Sequence, residues 1–320
     1  MSGSDSLRKL TGRSAAIQQV RDQIQRIARS PVPVLILGET GTGKELCAEA
    51  IALASGRTPF VPVNCAALPE GLVESELFGH ERGAFTGAVR SHAGMIALAH
   101  GGILFLDELA ELPSPVQAKL LRTLESGEYR RVGSTKTLQS DFRILAATSG
   151  DLERVIASGR LRADLLHRLG AVRVCLPALR QRLEDIPLYA EEFLRRYLER
   201  CDAGPSRISP EACALLMQHD WPGNLRQLRN VVEASAAVAG SDDVIEMLHV
   251  VQFLIPSAKD AAASEAVPSL AEVRARAEMR AILEALRRAG GNRERAAKLL
   301  RISEATLYRK LGQRSGPQLA

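Results

Sequence analysis

The sequence lacks the patterns of a membrane protein or a disulfide-rich protein. No apolar run approaches the ~20 residues that cross a bilayer, and the first ten residues, MSGSDSLRKL, lack the apolar core of a signal peptide. The five cysteines show no CxxC pair and no metal-ligand spacing. These absences predict a cytoplasmic protein with reduced structural thiols and no membrane partner.

Charge is unevenly distributed along the chain. Residues 269–320 contain 12 Lys and Arg against 5 Asp and Glu, a net charge of +7, whereas the whole chain of 320 residues carries +5. The length predicts two or three domains. The basic end of the chain favours a nucleic-acid-binding domain there.

A phosphate-binding pattern occupies residues 34–46, VLILGETGTGKEL. It predicts a buried strand, a glycine-rich turn and a helix, in which backbone N–H groups and the helix N-terminus surround phosphate oxygens. Lys44 can reach the β- and γ-phosphates of a nucleotide, and Glu45 stands where Ser or Thr usually helps to hold magnesium. A flexible surface turn, the alternative, does not explain the flanking strand and helix. The predicted nucleotide-binding residues are Gly38, Glu39, Thr40, Gly41, Thr42, Gly43, Lys44 and Glu45.

Strands and helices alternate through the first half of the chain, which predicts an α/β fold with a parallel sheet. Further predicted strands cover residues 60–64, 102–108, 142–148 and 172–176, and predicted helices cover residues 11–29, 68–78, 116–124 and 152–169. The pattern of residues 130–141 predicts a hairpin or a loop. We divide the chain into an α/β ATPase subdomain (1–178), a helical lid subdomain (179–255), a linker (256–268) and a DNA-binding domain (269–320). Within the lid, the pattern of residues 179–239 predicts helices and no strand.

Two carboxylates, Asp107 and Glu108, end an apolar strand about 60 residues after Lys44. In a chain that also has a phosphate loop, the first acid can bind magnesium directly or through water, and the second can deprotonate the attacking water. The alternative is a solvated strand end. Thr148 ends the next strand and can contact the γ-phosphate or the water, and Asn64 can hold Glu108 away from the water.

Three arginines are candidates for contact with the nucleotide. Arg162 and Arg168 lie six apart in LRADLLHRLG, and Arg226 follows WPGN at a helix start. Arginines stabilise charge that develops on a transferred phosphoryl group, and another subunit can supply them. The alternative for each is a solvated helix face.

Six segments, in order, identify a family: GETGTGKE, NCAALPEGLVESELFGHERGAFTGA, GGILFLDE, RADLLHRL, EDIPLYAEEFL and WPGNLRQLRNVVE. Over residues 10–255 the chain resembles the AAA+ domain of bacterial enhancer-binding proteins, which activate sigma-54 RNA polymerase. The most diagnostic segment is GAFTGA, which is nearly private to this family. It comprises Gly83, Ala84, Phe85, Thr86, Gly87 and Ala88.

The resemblance implies a role for each matching residue. ATP with Mg²⁺ would bind the phosphate loop, Asn64 would be the switch partner of Glu108, and Thr148 and Arg226 would be sensors. Arg162 and Arg168 would act across a subunit boundary, which implies a ring, in this family a hexamer.

Phe85 and Thr86 would lie at the tip of a mobile loop that contacts sigma-54, supported by a second loop at residues 130–141. From the residues alone, Phe85 is either an exposed protein contact or an aromatic plug that folds back into the core.

Two features depart from the family pattern. Ser149 stands where members commonly have Asn after the sensor threonine, and only about ten residues precede the ATPase where a regulatory domain is usual. Either a separate regulatory protein controls this chain, or DNA and concentration control its assembly, or the sequence is a fragment.

The carboxyl end has the spacing of a helix-turn-helix, with predicted helices at 270–289, 293–300 and 303–311. GGNRERAAKLLRISEATLYRKL is similar to the Fis-type module of these activators, which would bind upstream enhancer DNA as a dimer. A dimerisation domain without DNA contact is the alternative, against which the charge argues. The outward candidates for DNA contact are Arg301, Ser303, Glu304, Ala305, Thr306, Arg309 and Lys310.

Three functions remain open at this stage. The favoured one is an ATP-driven activator that remodels the closed sigma-54 polymerase complex. The others are a DNA-binding regulator whose ATPase domain controls only assembly, against which the intact GAFTGA argues, and a general AAA+ remodelling enzyme, against which the DNA-binding tail argues.

Overall fold

The computed structural model describes residues 10–149, 152–201, 204–254 and 293–307, together with residues 274, 278, 281, 282, 285, 288 and 289. The chain forms two compact units. The first comprises Met1–Asp185 and Pro222–Arg226, and the second comprises Ile186–Trp221 and Gln227–Ala320.

A parallel five-stranded sheet forms the centre of the first unit, in the order β2-β3-β6-β1-β7. This confirms the predicted α/β fold. The strands are β1 (Val34–Leu37), β2 (Phe60–Asn64), β3 (Ile103–Asp107), β6 (Arg143–Thr148) and β7 (Val172–Cys175), and a separate antiparallel hairpin joins β4 (Glu128–Arg130) to β5 (Thr137–Gln139).

The composition of the strands explains their order. β1, β3 and β6 are apolar runs that are buried on both faces of the sheet, as interior parallel strands require. β2 carries Pro62, which cannot donate a ladder hydrogen bond, and β2 lies at the sheet edge. The carboxyl ends of β1, β3 and β6 therefore meet at one edge of the sheet, where the predicted site residues follow them.

Helices of the first unit pack on both faces of the sheet, in two apolar clusters. The helices are α1 (Ala15–Ile27), α2 (Lys44–Ser55), α3 (Val73–Phe78), α4 (Met95–Leu98), α5 (Ser114–Ser126), α6 (Leu152–Ala157) and α7 (Ala163–Leu169). The helix predicted at residues 68–78 is shorter in the structure and begins only at Val73, because Pro69 and Gly71 disfavour helix in the residues before it.

Arg143 connects the sheet to α1. The residue is 2 % exposed, and its guanidinium donates hydrogen bonds to the carbonyl oxygens of Ile27 (3.0 Å), Ala28 (2.5 Å) and Val32 (3.1 Å). These carbonyls lie at and beyond the carboxyl end of α1, where the helix itself supplies no donors. Arg143 thus caps α1 from the first residue of β6.

The second unit is mainly helical. Its described helices are α8 (Ile186–Leu198), α9 (Pro210–Met217), most of α10 (Asn224–Ala239), α11 (Met247–Leu254) and α12 (Arg293–Leu300). The prediction that residues 179–239 are helical only was wrong, since Arg207–Ile208 pairs in parallel with Val244–Ile245. Strands of two residues are too short to show periodicity in a sequence.

Two local predictions in the second unit are confirmed. Ser209 begins α9, with its Oγ accepting the N–H of Ala212 at 3.2 Å, and Pro210 is the first helical residue. α12 has the predicted bounds. The linker at 256–268 lies outside the described residues.

All five cysteines, each among the described residues, are free thiols. Burial raises the pKa of Cys47 to about 12. Within the described residues, no helix is long and apolar enough to span a bilayer.

Candidate nucleotide-binding site

The phosphate loop lies between β1 and α2, as predicted. Gly41 (φ +80°) and Gly43 (φ +102°) have left-handed backbone conformations that glycine adopts without strain. Lys44 is the first residue of α2 and is 6 % exposed; its Nζ donates to the Gly38 carbonyl oxygen at 3.1 Å and lies 3.3 Å from Glu108 Oε1. The loop therefore presents backbone amides and one ammonium group at a helix N-terminus.

Glu39 of this loop is held by residues that the sequence analysis did not select. Arg180 donates to both of its carboxylate oxygens, and Asn224 Nδ2 donates to its Oε2 at 3.0 Å. The hydrogen bond from Arg180, then that from Asn224, lowers the pKa of Glu39 to about 2. The carboxylate of Glu39 thus anchors the loop to the segments that follow β7 and begin α10.

Asn224 makes two further hydrogen bonds at the start of α10. It is fully buried with φ +50°, its Nδ2 also donates to the Thr40 carbonyl at 3.1 Å, and its Oδ1 accepts the N–H of Leu179 at 2.7 Å. Arg182 donates to the Thr42 carbonyl at 3.0 Å. The WPGN segment was the signal available in the sequence, because Gly followed by Asn favours a turn and Asn tolerates the left-handed backbone that Asn224 adopts here.

Asp107 is the last residue of β3, and Glu108 follows it directly. Burial, followed by the charge of Glu108, raises the pKa of Asp107, while Lys44 and Arg226 act in the opposite direction. The N–H of Glu108 donates to Asp107 Oδ1 at 3.1 Å, and Glu108 has a left-handed backbone with φ +52°. The positive charges of Lys44 and Arg226 do not fully offset the two carboxylates at this strand end. Such a pair of carboxylates suits a hard cation such as Mg²⁺.

Thr148 is the last residue of β6, and Ser149 follows it, beside these groups. Thr148 is 1 % exposed and lies opposite Leu37 in the β1–β6 register. Ser149 stands where members of the family commonly have Asn, and the sequence predicts no contact for it. In the structure its N–H (3.2 Å) and its Oγ (2.8 Å) both donate to Glu108 Oε2.

Asn64 lies at the end of β2, opposite Asp107. Its Oδ1 accepts the N–H of Ala66 at 3.0 Å and caps the 3₁₀ turn that follows. Among the described contacts, the Glu108 carboxylate is met by Ser149 and Lys44. The pairing of Asn64 with Glu108 therefore stays a prediction.

Arg162 and Arg168 lie at the two ends of α7. Arg162 donates from Nε and Nη2 to the two carboxylate oxygens of Asp164 (3.1 and 2.8 Å), and this interaction raises the pKa of Arg162. Arg168 Nη2 donates to the Leu124 carbonyl at 2.8 Å. The buried Gln117, absent from the sequence analysis, accepts the Arg162 N–H at 3.0 Å.

Arg226 is exposed near the amino end of α10, where its charge acts on Asp107. The structure therefore brings Arg226 toward the carboxylates of its own chain. The described contacts of Arg162 and Arg168 are instead with Asp164 and with the Leu124 carbonyl.

The GAFTGA segment forms a tight exposed loop. The N–H of Gly83 donates to the Ala88 carbonyl at 2.9 Å, and the N–H of Ala88 donates to the Phe85 carbonyl at 3.0 Å. Phe85 is 38 % exposed, with its ring edge-on to His80 at a centroid distance of 5.0 Å. Phe85 is therefore not a core plug.

The second loop touches the first. A Cβ on Gly133, between β4 and β5, would lie 2.7 Å from the Cβ of Ala84. Nearby, Arg131 pairs with Glu81 at 3.0 Å, and the N–H of Glu81 donates to the Val132 carbonyl at 3.1 Å. The turn between β4 and β5 thus supports the base of the GAFTGA loop.

The described part of the tail contains α12 and the turn after it. Arg301 is exposed with φ +53°, and Ser303 Oγ accepts the N–H of Thr306 at 3.1 Å, which starts the next helix. Glu304 and Ala305 are exposed. Arg309 and Lys310 lie outside the described residues.

Comparison with known proteins identifies the family. Residues 10–175, more than half of the chain, match the Sigma-54 interaction domain. The chain belongs to the family of sigma-54-dependent transcriptional activators. In this activator, residues 180–266 match the AAA+ ATPase lid domain and residues 273–313 match the Fis family of bacterial regulatory proteins, a DNA-binding helix-turn-helix.

Similar proteins support this assignment over most of the activator's length. The transcriptional regulatory protein ZraR of Salmonella typhimurium is 42% identical over 306 residues, which cover 95% of this chain and 68% of ZraR. The Nif-specific regulatory protein of Azotobacter vinelandii is 49% identical over 232 residues, which cover 72% of this chain and 44% of that protein. The crystal structure of NtrX from Brucella abortus in complex with ADP superposes with a TM-score of 0.70 at 38% identity, and covers 96% of this chain and 71% of NtrX.

Proposed function

We propose that this activator hydrolyses ATP in an oligomeric ring and uses the cycle to remodel the closed complex of sigma-54 RNA polymerase. The observation that carries the proposal is the presence, in one compact unit, of a phosphate loop beside two carboxylates and of an exposed GAFTGA loop braced by a second loop. The Fis-type tail in the same chain supplies the attachment to upstream enhancer DNA.

Nucleotide binding is assigned to the phosphate loop, with Lys44 on the β- and γ-phosphates and Arg226 as a sensor. The similar NtrX chain binds ADP, which supports the same ligand class here. Asp107, directly or through water, would hold Mg²⁺. The ion supplies neutralisation of phosphate charge when bound.

Glu108 is the proposed general base. It accepts a proton from the attacking water while the water oxygen bonds to the γ-phosphorus and the bond to the bridging β-oxygen breaks, which yields ADP and inorganic phosphate. The buried Thr148 at the end of β6 would contact the γ-phosphate or this water. Asn64 remains the proposed switch partner of Glu108 in another nucleotide state.

Arg162 and Arg168 are proposed to act on the nucleotide of a neighbouring subunit. Their described side-chain contacts are with Asp164 and with the Leu124 carbonyl, and not with Lys44 or Glu108 of their own chain. A ring, in this family a hexamer, would bring them to the next site, where two guanidinium groups stabilise charge on the transferred phosphoryl group.

The GAFTGA loop is the proposed contact with sigma-54. A half-exposed aromatic residue, Phe85, rests on His80 rather than in the core, so it can leave that position without opening a cavity. A loop whose contact with sigma-54 differs between nucleotide states can convert the cycle into work on the polymerase.

The proposal also covers attachment to DNA, the domain boundaries, the location of the protein and its control. Dimers of the domain at 269–320 would hold the protein on DNA through Arg301, Ser303, Glu304, Ala305, Thr306, Arg309 and Lys310. We propose the domain boundaries given from the sequence, a cytoplasmic location with the polymerase, and control either by a separate regulatory protein or by assembly on DNA.

The runner-up function is a DNA-binding regulator whose ATPase domain controls only its assembly. The variant Phe85→Ala separates the two functions in an assay of promoter opening with sigma-54 polymerase. The proposal predicts that ATP hydrolysis survives and promoter opening is lost. Promoter opening by Phe85→Ala at the wild-type level would reject the role of the loop.

A further inference from the structure

The carboxylate of Glu108 is held at both oxygens. Its Oε2 accepts the N–H and the Oγ–H of Ser149, at 3.2 and 2.8 Å, and its Oε1 lies 3.3 Å from Lys44 Nζ. Glu108 is neither fully buried nor fully open, with 23 % of its side chain exposed. Two donors on one oxygen and an ammonium group on the other leave the carboxylate a single orientation.

These two contacts depend differently on nucleotide. Lys44 is the group that the proposed function assigns to the β- and γ-phosphates, whose negative charges compete with Glu108 for its ammonium. Ser149 directly follows Thr148, which is buried and fixed in the β1–β6 register. The contact with Ser149 can therefore persist when phosphate draws Lys44 away from Oε1.

A base at this position needs such a second contact. Glu108 leaves β3 with a left-handed backbone, which fixes the direction of its Cβ but not the rotation of its three side-chain bonds. A general base must keep one oxygen within hydrogen-bond distance of the water that it deprotonates. Without a donor on Oε2, the carboxylate would lose orientation as soon as Lys44 turned to the phosphates.

We propose that Ser149 is a positioning residue for ATP hydrolysis, which holds Oε2 of Glu108 so that Oε1 faces the attacking water once Lys44 has turned to the phosphates. The proton of the water passes to Oε1, and Ser149 keeps its own proton throughout. The inference rests on the proposed ATPase function and adds to it a residue at which this chain departs from the common Asn of its family. Asn carries its donor one bond farther from the backbone, so its side chain and its N–H would not reach one oxygen in the same geometry.

The test compares the full-length wild type with Ser149→Ala and Ser149→Thr, by steady-state phosphate release and by the affinity for fluorescent ADP. Ser149→Ala keeps the backbone donor and loses the hydroxyl donor. Its kcat should fall about tenfold, equivalent to about 1.4 kcal/mol. Its KM and its ADP affinity should stay within about twofold, because binding does not use this bond. Ser149→Thr keeps a hydroxyl at the same carbon and should retain kcat within about threefold.

A matched control removes a serine hydroxyl elsewhere. Ser55 ends α2, at the opposite end from the phosphate loop, and its Oγ donates to the Ala52 carbonyl at 2.7 Å. Ser55→Ala should leave kcat and KM unchanged.

A double variant distinguishes positioning from a general loss of structure. In Glu108→Gln the base is absent, so adding Ser149→Ala should not lower the residual rate further. An equal loss in both backgrounds, or a loss of ADP affinity in Ser149→Ala, would contradict the proposal. Wild-type hydrolysis with an unchanged kcat in Ser149→Ala would overturn this inference alone, whereas a wild type that binds ADP but hydrolyses no ATP would overturn the proposed function and the inference with it.

Discussion

Glu39 and Arg180 form a bidentate ion pair that joins the phosphate loop to the segment after β7. Arg180 Nη1 donates to Glu39 Oε2 at 2.9 Å, and its Nη2 contacts Oε1. The same Oε2 also accepts from Asn224. The loop that would hold the nucleotide is therefore fixed from outside by charged and amide side chains before any phosphate arrives.

This pair predicts a specific pH dependence of stability. The pKa of Glu39 is lowered from its ordinary value to about 2, so the stabilisation is present above about pH 4.5 and is lost as the pH falls toward about 2. Glu39→Gln should be less stable than the wild type at neutral pH, and the difference in Tm should shrink across that window.

Thermal unfolding of the wild type and Glu39→Gln between pH 7 and pH 3 measures the difference. Arg180→Gln should change the profile in the same direction but by less, because Asn224 still donates to the Glu39 carboxylate. A difference in Tm that stays constant as the pH falls would contradict the assignment.

Arg143 predicts a large loss of stability from one substitution. Arg143→Met would leave three carbonyl oxygens at the carboxyl end of α1 without this donor, and the free energy of unfolding should fall by about 3 kcal/mol. Arg130 is an exposed arginine whose Nε donates to Thr137 Oγ1 at 3.1 Å, and Arg130→Met should change the free energy of unfolding by less than about 0.5 kcal/mol. Urea unfolding of both variants checks the prediction, and equal midpoints would reject the capping role.

The support of the GAFTGA loop can be tested with two glycines. Gly133 (φ +78°) and Gly127 (φ +75°) have similar left-handed backbones, but a Cβ on Gly133 would meet Ala84 Cβ at 2.7 Å, whereas one on Gly127 would have only the Ser140 carbonyl at 3.7 Å. Both alanine variants carry similar backbone strain, about 1 kcal/mol. Only Gly133→Ala should displace the GAFTGA loop, and it should lower promoter opening while ATP hydrolysis survives. Equal promoter opening in the two variants would show that the contact with Ala84 is not needed.

The proposed action of arginines between subunits predicts complementation. Arg168→Ala should bind ATP but not turn it over, and Lys44→Ala should fail to bind ATP. In a mixed ring, a Lys44→Ala subunit still presents its own Arg168 to the nucleotide of an Arg168→Ala neighbour, so mixing the two inactive proteins should restore part of the ATPase activity. Phosphate release as a function of mixing ratio measures this. A mixture that stays inactive although the two proteins form mixed rings would place Arg168 at its own site or outside the mechanism.

Most of the fold could be predicted from the sequence because its signals are local. The apolar runs of β1, β3 and β6 and the cap at Ser209 depend on neighbouring residues, and they appear where expected. The two-residue strands Arg207–Ile208 and Val244–Ile245 depend on a partner more than 30 residues away, and the sequence carries no periodic trace of them.

In the candidate site, too, the residues of local motifs could be predicted, and the contacts between distant segments could not. Lys44, Asp107 and Glu108 belong to motifs whose spacing is itself the signal, so their proximity could be predicted. The contacts of Ser149 with Glu108, of Arg180 with Glu39 and of Gln117 with Arg162 join segments separated by 41 to 141 residues. Side chains of these types are usually solvated or structural, and only the assembled sheet distinguishes these residues from the others.

The most direct test of the account is capture of sigma-54 in the transition state of hydrolysis. The full-length protein is mixed with sigma-54 and ADP plus aluminium fluoride, a mimic of the transferred phosphoryl group, and the mixture is separated by gel filtration. We predict a stable complex that requires the mimic and is lost in Phe85→Ala, while this variant still hydrolyses ATP. If the wild type hydrolyses ATP normally but forms no complex with sigma-54, the proposed remodelling function is contradicted.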